Sequence, residues 1–221
     1  MNLNVLPDAG KFVGHKIASS EPEPITAIMF EYLMAAGGLF VCAKRREFSV
    51  CLPLCRVNVK GLSDVESKIV WHKSKIPTGV WQEILSDARF RNDLADFKED
   101  VFVAFWSETS GEWSWKRISR ERQRASTIAD DTLKEYGNAC IELHTHPEGA
   151  IHFSRADDED EKGKFRIFGI LTDIHSLHPK IRFRCGVYDH FVQISADFVS
   201  EMPFGFIDLN KVEQTIRRIL L

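Results

Sequence analysis

Two histidines, His144 and His146, close a short apolar stretch at residues 139–146, and Pro147 follows them directly. In a β-strand, residues two apart point to the same face, so both imidazoles project from one side. Proline lacks the N–H that a central strand needs, so the chain turns away just after the second histidine. The pair is therefore expected at a strand end, where a site can open to solvent. Ser154 and Asp157 follow, with the acidic residues Asp158 and Glu159 behind them. Serine is a good helix N-cap, and carboxylates suit the positive end of a helix. A helix starting here would turn the Asp157 carboxylate back toward the two imidazoles. Two histidines and one aspartate leave the fourth tetrahedral position of a zinc ion to water, the pattern of a catalytic rather than a structural site. Such an ion lowers the pKa of its water to about 7. An H-x-H pair alone is ordinary in half-buried strands. Pro147, Ser154 and Asp157 at these positions are what favour the metal site.

The rest of the chain alternates short apolar runs with turn signals. Residues 1–24, with Glu-Pro-Glu-Pro at 21–24, read as an irregular N-terminal arm. Residues 25–36 fit a helix and a strand equally well by periodicity. After Gly37-Gly38, residues 39–43 and 48–54 read as strands joined by the basic turn Lys44-Arg45-Arg46. Residues 56–78 lack a clear period, and residues 56–96 are taken as a possible insertion. Residues 80–97 carry helical spacing. Residues 101–106 and 113–118 predict a hairpin across Thr109-Ser110-Gly111, and residues 119–137 are polar and partly helix-like. Residues 157–164 have helix-start character. Further strands are expected at 166–172, 181–187 and 191–194. Leu209, Val212, Ile216 and Ile219 line one face of a C-terminal amphipathic helix within 201–221. Many strands with two or three helices indicate an α/β, sandwich-like domain rather than a helical bundle.

A chain of 221 residues with 44% hydrophobic and 28% charged residues is ordinary for a globular domain that buries a real core. The formal net charge of −3 argues against nucleic-acid binding through a strong positive field. The opening residues lack the charged-then-apolar pattern of a signal peptide, and no apolar run approaches the ~20 residues of a membrane helix. Five cysteines, none in C-x-x-C spacing, read as reduced and mostly buried thiols, giving the expectation of a cytoplasmic protein. Cys51 and Cys55 are read as packing residues, not as a zinc pair.

The run H-T-H-P, six residues, then S-x-x-D falls without a gap on His144, Thr145, His146, Pro147, Ser154 and Asp157. This pattern resembles the signature of the JAMM (JAB/MPN) zinc metalloprotease family, over roughly residues 25–200. The phrases Phe30-Glu31-Tyr32, Gly38-Leu39-Phe40-Val41, Phe153-Ser154 and Cys185-Gly-Val-Tyr-Asp-His-Phe191 resemble its bacterial Prok-JAB branch. That branch includes the PRTRC-system protein A group and the JAB peptidases of ubiquitin-like conjugation operons. The resemblance implies an MPN, cytidine-deaminase-like α/β sandwich with a curved mixed sheet flanked by helices. It implies one Zn2+ with a bound water, held by His144, His146 and Asp157. The implied activity is isopeptidase or peptidase cleavage after the C-terminus of a ubiquitin-like protein. The implied partners are that protein or its conjugates, and the activating and conjugating enzymes of the same operon.

Amide hydrolysis needs a carboxylate to carry the proton from water to the leaving amine. The resemblance assigns this to Glu31, an ionisable residue inside an apolar run, where a charge is costly unless paired or used. The family text after this glutamate, E-x-x-G-x-x-x-G, is met here at Gly38 but departs at Met34. Glu142, on the strand face of His144 and His146, is the main competitor, and Glu47 a weaker one. Ser154 has two readings, helix cap and, by resemblance, hydrogen-bond donor to the tetrahedral oxyanion. His152 reads as a surface residue, His175 and His178 as part of a turn, and residues 158–161 as a solvated acidic face. Trp106, Trp113 and Trp115 read as hairpin packing. A non-catalytic scaffold and a metallopeptidase for small peptide-like substrates are the alternatives. Deamination is disfavoured because the P-C-x-x-C element is absent.

Overall fold

The computed structural model describes residues 11–19, 24–92, 97–118 and 136–220. The chain divides into two compact units, Met1–Lys73 and Ser74–Leu221. The division falls inside the stretch 56–96 that the sequence reading set apart.

The first unit is a five-stranded sheet of β1 (Val13–Ile17), β2 (Phe30–Ala35), β3 (Gly38–Lys44), β4 (Phe48–Arg56) and β5 (Lys68–Trp71), in that spatial order. Strand β1 runs parallel to β2, and the other neighbours are antiparallel. Of residues 25–36, undecided between helix and strand, Phe30–Ala35 form strand β2. A two-residue link returns the chain beside itself as β3, and this pairing fixes the stretch as strand. Two expectations are corrected. Residues 13–17, read as part of an irregular arm, form the edge strand β1. The aperiodic stretch 56–78 contains β5, which is short and half exposed and so leaves little hydrophobic alternation to read. The arm's residues 1–10 and 20–23 lie outside the described residues. Ala35, Val41, Ala43 and Phe48 are fully buried in this unit.

The second unit is built on a seven-stranded mixed sheet. Its strands are β6 (Val101–Ser107), β7 (Glu112–Ile118), β8 (Ile141–Thr145), β9 (Phe165–Thr172), β10 (Lys180–Val187), β11 (His190–Ile194) and β12 (Ile207–Asp208). The order is β11-β10-β9-β8-β6-β7, with β12 added to β10. The predicted hairpin is β6–β7. Among the described residues the helices α1 (Thr78–Arg91), α2 (Arg155–Glu161) and α3 (Leu209–Leu220) accompany the sheet. Helix α1 starts close to its expected position but ends at Arg91, where Asn92 turns extended, short of the expected residue 97; residues 93–96, and most of 119–137, lie outside the described residues.

The central strands β8 and β9 are parallel, pairing Ile141 with Ile167 through Thr145 with Leu171. Parallel neighbours need a crossover. Here it consists of residues 146–164 and carries α2. Both strands are buried almost throughout, as their near-continuous apolar text requires. The core holds Trp81, Phe102, Ile141, Leu143, Phe168, Ile170 and Phe183. Two mixed sheets with few helices make the chain a mixed α/β protein. Among the described residues no helix is long and apolar enough to cross a membrane.

Candidate metal centre

The centre of the β6–β12 sheet places the two histidines. His144 sits in β8 opposite Val101 on one side and Ile170 on the other. His146 lies just past the strand, and its N–H still donates to the Leu171 carbonyl at 2.9 Å. The turn at Pro147 is braced from β9. The Thr172 hydroxyl donates to the Pro147 carbonyl at 2.7 Å. Asp173 accepts from the Gly149 N–H at 2.8 Å and is itself paired with Lys180 at 2.7 Å.

Asp157 arrives from α2. Its helix has a closed capping box: Ser154 Oγ accepts from the Asp157 N–H at 3.2 Å, and the Ser154 N–H donates to Asp157 Oδ2 at 2.6 Å. The helix begins at Arg155 with Ser154 as its N-cap, as the serine–aspartate spacing leads one to expect. The cap holds the carboxylate with Oδ1 3.3 Å from His144 Nδ1 and Oδ2 3.6 Å from His146 Nε2. One ligand atom from each of His144, His146 and Asp157 lies within 4.8 Å of the others, and all three residues are buried. The two histidines face different oxygens of Asp157, and a donor set this close could hold a metal ion.

The electrostatics favour the charged forms of both His144 and Asp157, so a metal binding there would displace a proton from His144. Burial opposes charge on His144, but hydrogen bonds with Asp157 and Glu142 outweigh it and raise the imidazole to about 9. Burial likewise opposes the Asp157 carboxylate, but His144 and the Ser154 cap hold it well below the usual carboxylate range.

Glu142 emerges as a positioning residue. Its Oε1 is 3.4 Å from His144 Nε2 and accepts from the Tyr136 hydroxyl at 2.9 Å; its Oε2 accepts from Arg166 at 2.8 Å. Despite burial, His144, Lys164 and Arg166 bring Glu142 down to about 2. Contact of this kind with the second nitrogen of a metal-binding histidine is how such rings are oriented. Tyr136 and Arg166 had no place in the sequence reading. The available signal was Arg166 at the head of an otherwise apolar strand, where a buried cation needs a partner.

Arg184 is the second such residue. It is 4% exposed in β10, stacked between Phe153 at 3.8 Å and Phe191 at 4.2 Å. Its guanidinium donates to Glu161 at 2.7 Å and to Asp158, fastening α2 to the sheet. The acidic run is therefore not simply a solvated face. Glu159 and Asp160 are exposed, whereas Glu161 is fully buried.

Glu31 lies in the first unit. Its Oε1 accepts from the Thr26 N–H at 2.7 Å, the Thr26 hydroxyl at 2.9 Å and the Ala27 N–H at 2.9 Å, and Oε2 pairs with Lys16 at 3.0 Å. Against the cost of burial, these partners keep it below its ordinary value. Glu47, also in that unit, is bound by Arg45 and Arg46. His152, His175 and His178 are exposed, the latter two in the β9–β10 turn. Trp113 is buried in its hairpin, edge-on to Trp106. Cys51 has Cys42, not Cys55, as its close partner.

Neither a comparison with protein-family models nor a search of curated proteins finds a match to this chain.

Proposed function

We propose that the chain is a JAMM-type zinc isopeptidase or peptidase of the MPN fold, cleaving the amide bond after the C-terminus of a ubiquitin-like protein in the cytoplasm. The observation that carries the reading is the buried His144–His146–Asp157 donor set, built at a strand end and on a capped crossover helix. A zinc ion bound there supplies Lewis acidity toward water and the scissile carbonyl. The chain's own residues supply the rest. Glu142 orients His144, and the cap at Ser154 orients Asp157. Ser154 uses its oxygen as an acceptor in the cap, and its O–H has no acceptor among the described residues. A serine hydroxyl can do both, so the donor remains for a developing oxyanion. The proton-carrying role is assigned to Glu31 by the family resemblance. The expected partners are a ubiquitin-like protein or its conjugates, with the activating and conjugating enzymes encoded beside it.

Elemental analysis and a cleavage assay test this together. The protein is incubated with a genomically neighbouring ubiquitin-like protein fused to a short C-terminal extension. One zinc per chain and release of the extension are expected. Glu31→Gln is expected to keep the zinc and lose turnover. Absence of stoichiometric zinc removes the metal reading. Zinc without cleavage of any such fusion removes the substrate, and a fully active Glu31→Gln removes the base.

A further inference from the structure

The first unit carries a second constellation of titratable side chains. Across its five strands one row of paired residues reads Gly14, Glu31, Cys42, Cys51 and Lys68. Directly paired residues share a sheet face, so a carboxylate, two thiols and an ammonium stand side by side. Glu31, Cys42, Cys51 and Lys68 line one cavity of about 650 Å³. Gly14 supplies the room: a Cβ there would lie 2.8 Å from Glu31 Cγ.

The two sulfurs are 2.8 Å apart, with Cys42 as donor and Cys51 as acceptor, and both are free thiols. Directly opposed antiparallel residues have Cα atoms about 4.5–5.5 Å apart. A disulfide accepts about 4.4–6.8 Å, so the pair can close without backbone movement. The thiols are also unlike. The hydrogen bond from Cys42 lowers Cys51, against burial and with help from the Lys68 ammonium. Cys42 is pushed well up by that same bond, by burial and by Glu31. In the pairing register Cys51 stands beside the Lys68 ammonium and Cys42 beside the Glu31 carboxylate, which favours the thiolate on Cys51 and makes it the attacking cysteine.

We propose that Cys42 and Cys51 form a redox dithiol that is oxidised by a small hydroperoxide entering this cavity. The Cys51 sulfur attacks the terminal peroxide oxygen. The O–O bond breaks, and the leaving oxygen departs as water or an alcohol after taking a proton. Cys51 is left as a sulfenic acid. The Cys42 sulfur then attacks the Cys51 sulfur, the S–O bond breaks, and hydroxide leaves with the Cys42 proton as water. Two thiols lose two electrons to form one disulfide, and the peroxide gains them. An external dithiol returns the pair to the reduced state.

The test uses the full chain treated with hydrogen peroxide, read by thiol titration and peptide mapping by mass spectrometry. Free thiols are expected to fall from five to three per chain, with a Cys42–Cys51 linked peptide that dithiothreitol reverses. Cys42→Ser is expected to stop at a sulfenic acid on Cys51 that dimedone traps. Cys51→Ser is expected to form no intrachain disulfide. Native protein is expected to react faster than urea-unfolded protein, a comparison that separates a built site from exposed thiols. Oxidation confined to the exposed Cys55, or a pair that closes faster in urea than in the native chain, overturns the proposal.

Discussion

Glu161 is the group at which burial and charge are most openly in conflict. It lies one turn beyond Asp157 in α2, it is fully buried, and its Oε1 has no hydrogen-bond partner among the described residues. Burial pushes its carboxyl up to about 8 although Arg184 pulls the other way, and nearby Glu142 adds to the rise. In the folded chain Glu161 thus holds its proton to a higher pH than in the unfolded one. Its contribution to stability is intact below 4.5 and is lost as the pH rises through about 8. Each pH unit between the two values is worth about 1.4 kcal/mol, so the loss at pH 8 approaches about 4–5 kcal/mol as an upper bound. Glu161→Gln keeps the size of the side chain and a carbonyl acceptor for Arg184 while removing the charge. The variant is expected to match the wild type at pH 5 and to exceed it by a few kcal/mol at pH 8. Urea unfolding at pH 5, 6.5 and 8 reads this directly. The protein is first stripped of metal with a chelator, since a dication nearby would itself favour the carboxylate. A difference that does not grow with pH, or a variant weaker than the wild type at pH 8, would refute the reasoning. Either result would mean that the Arg184 ion pair outweighs desolvation and keeps Glu161 ionised.

Two further outcomes follow from geometry. Ser154→Ala removes the α2 cap and is expected to cost about 1 kcal/mol in urea unfolding. It is expected to keep zinc and to lower turnover about 100-fold if the hydroxyl also serves the oxyanion; unchanged turnover would reduce Ser154 to a cap. Gly169→Ala places a Cβ 2.6 Å from Leu143 Cδ1 and 2.8 Å from Phe183 Cε1, beside the histidine strand. A loss of about 1–3 kcal/mol is expected, and an unchanged urea midpoint would show that β9 has slack at this point.

Much of the site was legible because its parts are local. Histidines two apart must share a strand face, a proline must end the strand, and a serine three residues before an aspartate caps a helix. None of these inferences needs the rest of the chain. The β6–β7 hairpin was readable for the same reason. Strand β2 was not, because the apolar residues of 25–36 satisfy both periods and only a partner strand decides between them. Strand β1 was hidden because an edge strand pairs on one side only and needs no strong pattern.

The partners of the site residues come from far along the chain, and there local patterns fall silent. Arg166, Glu142 and Tyr136 meet because β9 lies parallel beside β8. Arg184 reaches Glu161 and Asp158 because β10 pairs with β9 and α2 crosses over them. The row from Glu31 to Lys68 exists only through the register of four strands. The sequence by itself determined which side chains can ligate a metal and in what local geometry, since spacing along a strand or helix turn sets direction. Tertiary structure alone decided which charges are buried beside which, because a pairing register is a long-range choice made by the whole core at once.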